Sequence, residues 1–453
     1  MGHDFSFENV RKFAQGFSNY ILNSRTTRTP RILVSYDTRQ LSRKFAYETA
    51  RIFSLNGIMT VIPQRDAPMA AISLAITRNR LDGGVIFTAS FNKPIYNGIK
   101  LLDRQGAPSL PSVTSLVETE IRAIGDNYEF KPQYPREELI DRVRVRSSYI
   151  KHLEGHIDFD TIRDSNVKIV VDNLFGASRD YLDFVLNEND IMVDSIHNLP
   201  YASSGKVMPY CGPESLTELS RLVVESKADI GIATDIDGDR FGIVDSKGRY
   251  IDSNTIIPPL IEYLITERKM EGGIVKSIST TNNIRKVADY YSRKVFVTPV
   301  GFKYLAHMLA LRKTFMAVES SNGAALRQST LIKDGILFNL LVVEMLAHYK
   351  VGMDTLLKTF YNKFPRLYSR EVAVLRTESR SAKLGALMKE KPMNVGGCAV
   401  RRVSLIDGIK FIMQDDWLLI RESGTSEGIR IYAEASKLKK TNELIKIGRS
   451  LIE

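Results

Sequence analysis

The stretch Ile230-Gly-Ile-Ala-Thr234, running into Asp235-Ile-Asp237-Gly-Asp239-Arg240, decides how the chain is read. Its first half predicts a buried strand, and three carboxylates at alternate positions follow at the strand's end. The single glycine lets the backbone turn sharply, so that the three side chains can converge. Hard divalent cations such as Mg²⁺ take oxygen ligands, and clustered aspartates supply them. Arg240 cannot ligate a cation, but it can hold an anion that the cation also touches, which points to phosphate chemistry. The plain alternative is an aspartate-rich turn with no ligand. An EF-hand loop is excluded: it wants glycine sixth and Glu twelfth, whereas glycine is fourth here and the twelfth residue is Ser246.

The segments on either side repeat the same rhythm. Arg31 to Tyr36 reads as a strand with Asp37-Thr38-Arg39 as its exit, and Ser42 is expected to cap an amphipathic helix through Phe53 that Gly57 closes. The run Gly84 to Phe87 leads into Thr88-Ala89-Ser90. Tyr149 to Phe159 reads as a helical lead-in to the strand Val167 to Val171, with Asp172 after it. A third series holds Gly273 to Lys276, Lys294 to Val297 and Phe315 to Val318, with Glu319 at the last exit. Strands that alternate with helices and end in polar residues imply open α/β sheets, which bind ligands outside the carboxyl ends of their strands. Beyond Pro365 the texture changes. Strands at Glu371 to Leu375, Val400 to Ser404, Trp417 to Ile420 and Ile429 to Tyr432 precede a helix near Asn442 to Leu451, which suggests a smaller α+β domain.

At 453 residues the chain is too long for one core. Its 43% hydrophobic and 25% charged content is ordinary for a globular protein. No apolar run approaches the roughly 18 residues of a membrane span, and the N-terminus lacks a signal-peptide layout. Cys211 and Cys398 match no metal or disulfide spacing, so a reducing cytoplasm is the expected home. The net charge of +11 is dispersed, without zinc-finger spacing or a basic-region coiled coil, and fits an anion-attracting cleft better than nucleic acid.

Three further segments carry chemistry. In Thr88-Ala-Ser90-Phe91-Asn92-Lys-Pro94-Ile-Tyr-Asn97-Gly-Ile-Lys100, Ser90 sits at a strand exit. Its hydroxyl is a phosphoryl acceptor if activated, and Lys100 can neutralise a phosphate. In Arg421-Glu-Ser423-Gly424-Thr425-Ser-Glu-Gly-Ile-Arg430, hydroxyls and close backbone N–H groups beside Arg421 suit a phosphate cradle, although a simple hairpin turn reads equally well. Glu319-Ser-Ser321-Asn-Gly323 offers polar groups suited to sugar hydroxyls.

Taken in order, these four segments resemble the α-D-phosphohexomutase family over nearly the whole chain. The family's serine segment TASHNPPEYNGIK reads TASFNKPIYNGIK here, and its DGDADR or DGDGDR metal loop matches Asp235 to Arg240. Its sugar loop matches at Glu319 and Ser321, its TxVGFK segment at Thr298 to Lys303, and its RPSGTEP loop at Arg421, Ser423, Gly424 and Thr425. The resemblance implies three similar α/β domains with mixed sheets followed by a smaller α+β C-terminal domain. The expected boundaries are 1–146, 147–250, 251–364 and 365–453.

It also implies roles. Ser90 would carry the phosphoryl group, and Mg²⁺ would be held by Asp235, Asp237, Asp239 and an oxygen of phospho-Ser90. Lys100 and Arg240 would manage charge and protons. Lys276, Gly301, Lys303, Glu319, Ser321, Arg421, Ser423, Gly424 and Thr425 would bind substrate. The implied activity interconverts hexose 1-phosphate and hexose 6-phosphate through a hexose 1,6-bisphosphate, of the phosphoglucomutase/phosphomannomutase type. The partner is a small phosphosugar, with no nucleic acid and no membrane, and the chain is expected as a monomer or homodimer.

Several positions depart from the family pattern. Its FGTDGIRG-like segment is missing before Phe5, and Arg39 is not an evident replacement for that segment's arginine. Phe91 stands for a usual His, Val318 and Asn322 for usual glycines, and Glu422, Ser426 and Glu427 alter the phosphate loop. These changes leave three alternatives open: a catalytically weak sugar-phosphate-binding paralogue, a phosphoglucosamine mutase, and a phosphoserine-based phosphatase.

Overall fold

A computed structural model of the chain describes residues 5–24, 28–92, 95–125, 130, 133–201, 208–424 and 427–453. The chain divides into two compact units. The first comprises Met1–Asp252, Ala306–Ala317 and Ser321–Met353; the second comprises Ser253–Leu305, Val318–Ser320 and Asp354–Glu453.

Two five-stranded mixed sheets build most of the first unit. The first holds β1 (Arg31–Tyr36), β2 (Met59–Pro63), β3 (Gly83–Phe87), β4 (Ile99–Leu102) and β5 (Ile140–Val143), in the order β4-β3-β1-β2-β5. β1 runs parallel to β2 and β3, and only β4 is antiparallel to its neighbour. Ile32 to Tyr36 is wholly buried, the unbroken apolar run that a central parallel strand covered on both faces requires. Phe7–Asn23 packs its Val10, Phe13, Ala14, Phe17 and Ile21 stripe into this core, with the Phe17 and Phe53 rings stacked at 5.5 Å.

The second sheet holds β6 (Ile169–Asp172), β7 (Val193–Ile196), β8 (Ile230–Thr234), β9 (Phe241–Asp245) and β10 (Tyr250–Ile251), in the order β10-β9-β8-β6-β7. β8 is parallel to β6 and antiparallel to β9, so the six residues Asp235 to Arg240 are the turn of a β8–β9 hairpin. The helix Gly335–Tyr349 is apolar all round and buried nearly throughout. Among the described residues no single helix is long and apolar enough to cross a membrane.

β11 (Gly273–Ser277), β12 (Val295–Thr298), β13 (Thr314–Val318) and β14 (Ala324–Leu326) belong to a four-stranded sheet, with β11 and β12 parallel. The C-terminal region is a five-stranded sheet of β15 (Tyr368–Leu375), β18 (Arg402–Ser404), β19 (Ile409–Ile412), β20 (Trp417–Glu422) and β21 (Gly428–Ala435), antiparallel throughout. Beside it lies the short pair β16 (Asn394–Val395) and β17 (Cys398–Ala399). Leu444 of the last helix, Leu438–Ser450, joins Leu418, Ile420, Ile429 and Ile431 in this core. Three α/β sheets of mixed direction followed by a smaller α+β region is the architecture expected from the sequence.

Local expectations fail in three places. Ser42 is the first residue of its helix and not the cap, because its hydroxyl donates to Asp37 Oδ1 at 2.8 Å; Leu41 precedes it without a side-chain cap. Tyr149 to Phe159 is not one helix: Arg146–Glu154 ends at Gly155, and a separate helix starts at Phe159 behind its Asp158 cap. The C-terminal region also contains a helix, Glu378–Glu390, and the strand β19, neither of which the apolar pattern revealed.

Candidate active site

The exits of β1, β6 and β8 each carry a buried carboxylate, and they differ in how it is satisfied. Asp37 Oδ1 accepts from Arg39 N at 2.9 Å and Ser42 Oγ at 2.8 Å, with Arg39 Nε 3.3 Å from Oδ2. Burial still pushes Asp37 up to about 6, against the pull of Arg39. Asp172 Oδ1 accepts from Leu174 N at 2.8 Å and lies 2.8 Å from His197 Nδ1. Among the described residues each of these two keeps one oxygen without a hydrogen bond, and that of Asp37 faces the Arg39 guanidinium.

The aspartate loop is different. Asp235 Oδ1 accepts from the backbone N–H groups of Asp239 at 2.9 Å and Arg240 at 3.0 Å, which folds the loop back on itself. Gly238 turns with φ +68°, and a Cβ there would lie 2.7 Å from Pro68 Cβ, so glycine is required both for conformation and for space. Oxygens of Asp235, Asp237 and Asp239 then lie within 4.8 Å of one another, all buried. Asp235 Oδ2, Asp237 Oδ1 and Asp239 Oδ1 have no hydrogen-bond partner among the described residues. Buried polar atoms are normally satisfied, so three clustered carboxylates that each keep an oxygen without a hydrogen bond mark a place for a hard divalent cation. The residues fit Mg²⁺.

Cations already surround the triad. Lys100 Nζ lies 2.7 Å from Asp237 Oδ2 and 3.3 Å from Asp239 Oδ2, and Lys333 Nζ lies 3.1 Å from Asp239 Oδ2. Arg240 Nε is 3.8 Å from Asp235 Oδ2 and 3.6 Å from Asp239 Oδ1. Burial followed by the charges of Asp237 and Asp239 drives the Asp235 carboxyl well above its usual range. Burial acts on Asp239 in the same sense, but Lys333, Lys100 and Arg240 outweigh it and hold that carboxyl low. Burial would lower the Lys100 ammonium, yet Asp237, Asp239 and Asp235 reverse the sign and raise it.

The serine segment is fastened to this cluster. Thr88 Oγ1 accepts from Ser90 N at 3.0 Å and donates to Asp237 Oδ2 at 3.2 Å, so one hydroxyl joins the two loops. Ser90 has φ +49°, a conformation costly for a residue with a Cβ and common at functional sites. Arg39 props this turn from behind. Its Nη2 donates to the carbonyls of Ser90 and Asn92, the latter at 2.6 Å, and its Nη1 donates to Tyr96 O at 3.3 Å. Lys100 arrives from β4, in register with Ile86 of β3. The Arg240 guanidinium lies 4.8 Å over the Phe91 ring and donates through Nη1 to Ser321 O at 2.8 Å. Asn322 takes φ +62°, which asparagine tolerates, and its Nδ2 donates to Cys211 O at 2.9 Å and Tyr250 Oη at 2.7 Å. The turn conformation expected of a glycine is thereby kept.

In the second unit, Gly301 N donates to Glu319 Oε1 at 3.2 Å, which joins the carboxylate at the exit of β13 to the Thr298 to Lys303 segment. Lys303 Nζ stands 5.3 Å over the Tyr304 ring. Lys276 is buried and donates to Thr280 O at 2.6 Å, Thr281 O at 2.8 Å and Asn282 Oδ1 at 3.3 Å, so its ammonium holds its own loop. Burial lowers it to about 8, against the attraction of Glu434. Arg421, near the end of β20, donates from Nε to Asp407 Oδ2 at 2.7 Å. Ser423 N donates to Gly428 O at 2.8 Å, and Gly424 is exposed. Thr425 and Ser426 lie outside the described residues. Glu422 is turned to Ser381 Oγ, 2.6 Å from its Oε1, and to Arg376, 3.8 Å away, instead of standing as a bare negative charge.

Sequence reasoning missed Lys333 and Asp407. In Lys333-Asp334-Gly335 the readable signal is the helix cap, for Asp334 Oδ1 accepts from Leu337 N at 3.0 Å. Only the fold brings the lysine before it to Asp239, about a hundred residues earlier in the chain.

Models of the three α/β/α domains of phosphoglucomutase/phosphomannomutase match residues 1–128 (domain I), 147–248 (domain II) and 252–364 (domain III). The chain belongs to the α-D-phosphohexomutase family. It is 27% identical over 433 residues to a phosphoglucomutase/phosphomannomutase of Thermococcus kodakarensis, covering 94% of this chain and 90% of that one. A phosphoglucosamine/phosphogalactosamine mutase of Sulfurisphaera tokodaii is also 27% identical, over 85% of this chain and 84% of its own. A phosphoglucomutase of Komagataeibacter xylinus is 28% identical, over 96% and 85%. In fold, the chain matches the parafusin phosphoglucomutase of Paramecium with a TM-score of 0.82 at 18% identity, covering 99% of this chain and 92% of that one. A Burkholderia thailandensis protein of the phosphoglucomutase/phosphomannomutase family matches with a TM-score of 0.81 at 19% identity, over 99% and 93%.

Proposed function

We propose that the chain is a Mg²⁺-dependent phosphohexomutase of the phosphoglucomutase/phosphomannomutase type, working through phospho-Ser90 and a hexose 1,6-bisphosphate. The observation that carries this reading is the joining of the Ser90 turn, through Thr88, to three buried aspartates with unpartnered oxygens.

Asp235, Asp237 and Asp239, with an oxygen of phospho-Ser90, would hold the metal. When bound, Mg²⁺ offsets charge on the group in transfer. In the forward half-reaction, the free hydroxyl oxygen of a hexose monophosphate bonds to phosphorus as the bond to Ser90 Oγ breaks. The hydroxyl proton ends on Oγ. The return half-reaction moves the other phosphoryl group of the bisphosphate back to Ser90. Lys100 and Arg240 supply fixed positive charge beside the triad, which stabilises charge that develops in transfer without reorganisation. Glu319, Ser321, Gly301 and Lys303 hold sugar hydroxyls in this reading, and Arg421, Ser423, Gly424 and Thr425 hold the phosphate that is not transferred. Lys276 orders the 276–282 loop. The domain boundaries follow the sequence breaks near residues 146, 250 and 364.

A coupled assay with glucose, mannose and glucosamine 1-phosphates tests the activity and identifies the sugar. The expected result is Mg²⁺-dependent isomerisation that Ser90→Ala abolishes. Release of inorganic phosphate in place of isomer would favour the phosphatase. Binding without turnover would favour the weak paralogue, for which Phe91 beneath Arg240 is the residue to examine.

A further inference from the structure

Asp407 and Gly408 look in the sequence like an ordinary hairpin turn between β18 and β19. The structure gives them more to do. Gly408 has φ +65°, and a Cβ there would meet Ile420 O at 2.2 Å and Arg421 Cα at 2.8 Å, so the turn is pressed against the backbone of Arg421. From that position Asp407 Oδ2 accepts two hydrogen bonds, from Arg421 Nε at 2.7 Å and from Val300 N at 2.9 Å. The next residue, Gly301, donates its own N–H to Glu319 Oε1 at 3.2 Å. Val297 and Val300 also pack on the Ile278, Trp417, Leu419 and Tyr432 cluster, so the loop is held by apolar contact as well.

We propose that Asp407 is a positioning residue. One carboxylate oxygen sets the Arg421 guanidinium and the Val300-Gly301 turn together, and thereby the phosphate grip and the sugar loop, given the functional reading above. The argument rests on geometry and charge. A carboxylate beside a phosphate-binding arginine partly neutralises it, which a site selected only for phosphate affinity would avoid. What the carboxylate supplies is orientation. With Nε committed to Asp407, the plane of the guanidinium is fixed by a neighbour in place of turning freely. Both side chains are nearly enclosed, Arg421 at 10% and Asp407 at 17% exposure, so water competes weakly for the bond.

The test measures the Kd of glucose 6-phosphate by calorimetry, and KM and kcat by coupled assay. The chains compared are wild type, Asp407→Ala, Asp407→Asn, Arg421→Ala and the double variant Asp407→Ala/Arg421→Ala. Asp407→Ala should weaken Kd and raise KM about tenfold, with a much smaller change in kcat. Asp407→Asn keeps an acceptor oxygen and should recover most of the loss. In the Arg421→Ala background the further change to Ala at 407 should cost less than it does in the wild type, because the share exerted through Arg421 is already gone and only the share through the Val300-Gly301 turn is left. Wild-type binding by Asp407→Ala would overturn the proposal, as would a full additional loss in the double variant. Failure of the functional reading is a separate outcome. A wild type that binds glucose 6-phosphate without isomerising any hexose phosphate leaves the Kd comparison to support or overturn the role of Asp407.

Discussion

Lys100 and Lys276 are both lysines drawn into the protein from a β-strand, and their electrostatic fates are opposite. Lys100 keeps 31% of its side-chain surface, and its ammonium lies among three carboxylates that raise its pKa in spite of desolvation. Lys276 is 2% exposed, donates to two backbone carbonyls and one side-chain amide oxygen, and is lowered to about 8. Burial acts in the same direction on both, so the sign is decided by how much negative charge stands against it: three carboxylates at Lys100, and at Lys276 Glu434 alone, opposed by Arg285. The first arrangement holds a full positive charge against the aspartate triad. The second fastens a loop.

The largest effect expected from this contrast is at Lys100. Lys100→Met should reduce turnover at least about a hundredfold, the scale on which a preorganised charge in an active site matters. Retention of more than a tenth of wild-type kcat would place Lys100 with Lys276 as a structural lysine. Next is Asp237→Asn. Wild-type chain should gain thermal stability as Mg²⁺ is added, since a ligand that binds only the folded state stabilises it, and the variant should lose that gain. A magnesium-dependent rise of equal size in both would remove the triad as the cation site.

A smaller and pH-dependent effect belongs to Lys276. Its folded pKa of about 8 lies below the ordinary lysine value of about 10.4, so between these the unfolded chain binds the extra proton. Stability conferred at this position should therefore rise as pH climbs from about 8 towards 10. Urea unfolding of wild type and Lys276→Met across that range should show the difference moving in favour of wild type, and a difference independent of pH would contradict the assignment. The smallest effect is predicted for Glu422→Gln, with KM within about twofold of wild type, because that carboxylate is exposed and engaged by Ser381 and Arg376. A clear gain in substrate affinity would show instead that Glu422 opposes the bound anion.

Much of this was legible in the sequence, for reasons that differ between segments. β1, β3, β8 and β13 are short, mostly apolar runs with a polar residue directly after them, and they fell within a residue or two of expectation because buried strands leave that signature. Ser42 misled because a serine before a helical stripe normally caps it, whereas here the hydroxyl is taken by Asp37. The helix Glu378–Glu390 went unseen because few of its residues are buried and its apolar stripe is thin. Around the site, the aspartates and Ser90 could be read because each sits at a strand end of its own. Lys333 and Asp407 could not, because Asp239 and Val300 are each about a hundred residues away from them, Arg421 lies across a further strand, and their local sequence shows only a helix cap and a hairpin turn. Phe91 and Asn322 read as departures; in the structure the first lies beneath Arg240 and the second keeps a left-handed turn with added hydrogen bonds.

The most direct test of the central claim is the intact mass of the chain after incubation with glucose 1,6-bisphosphate and Mg²⁺. The account predicts a single added phosphoryl group that maps to Ser90, is lost on exchange with glucose 1-phosphate, and never forms in Ser90→Ala. A wild-type chain that stays unmodified under these conditions, or that carries the group on another residue, would contradict it.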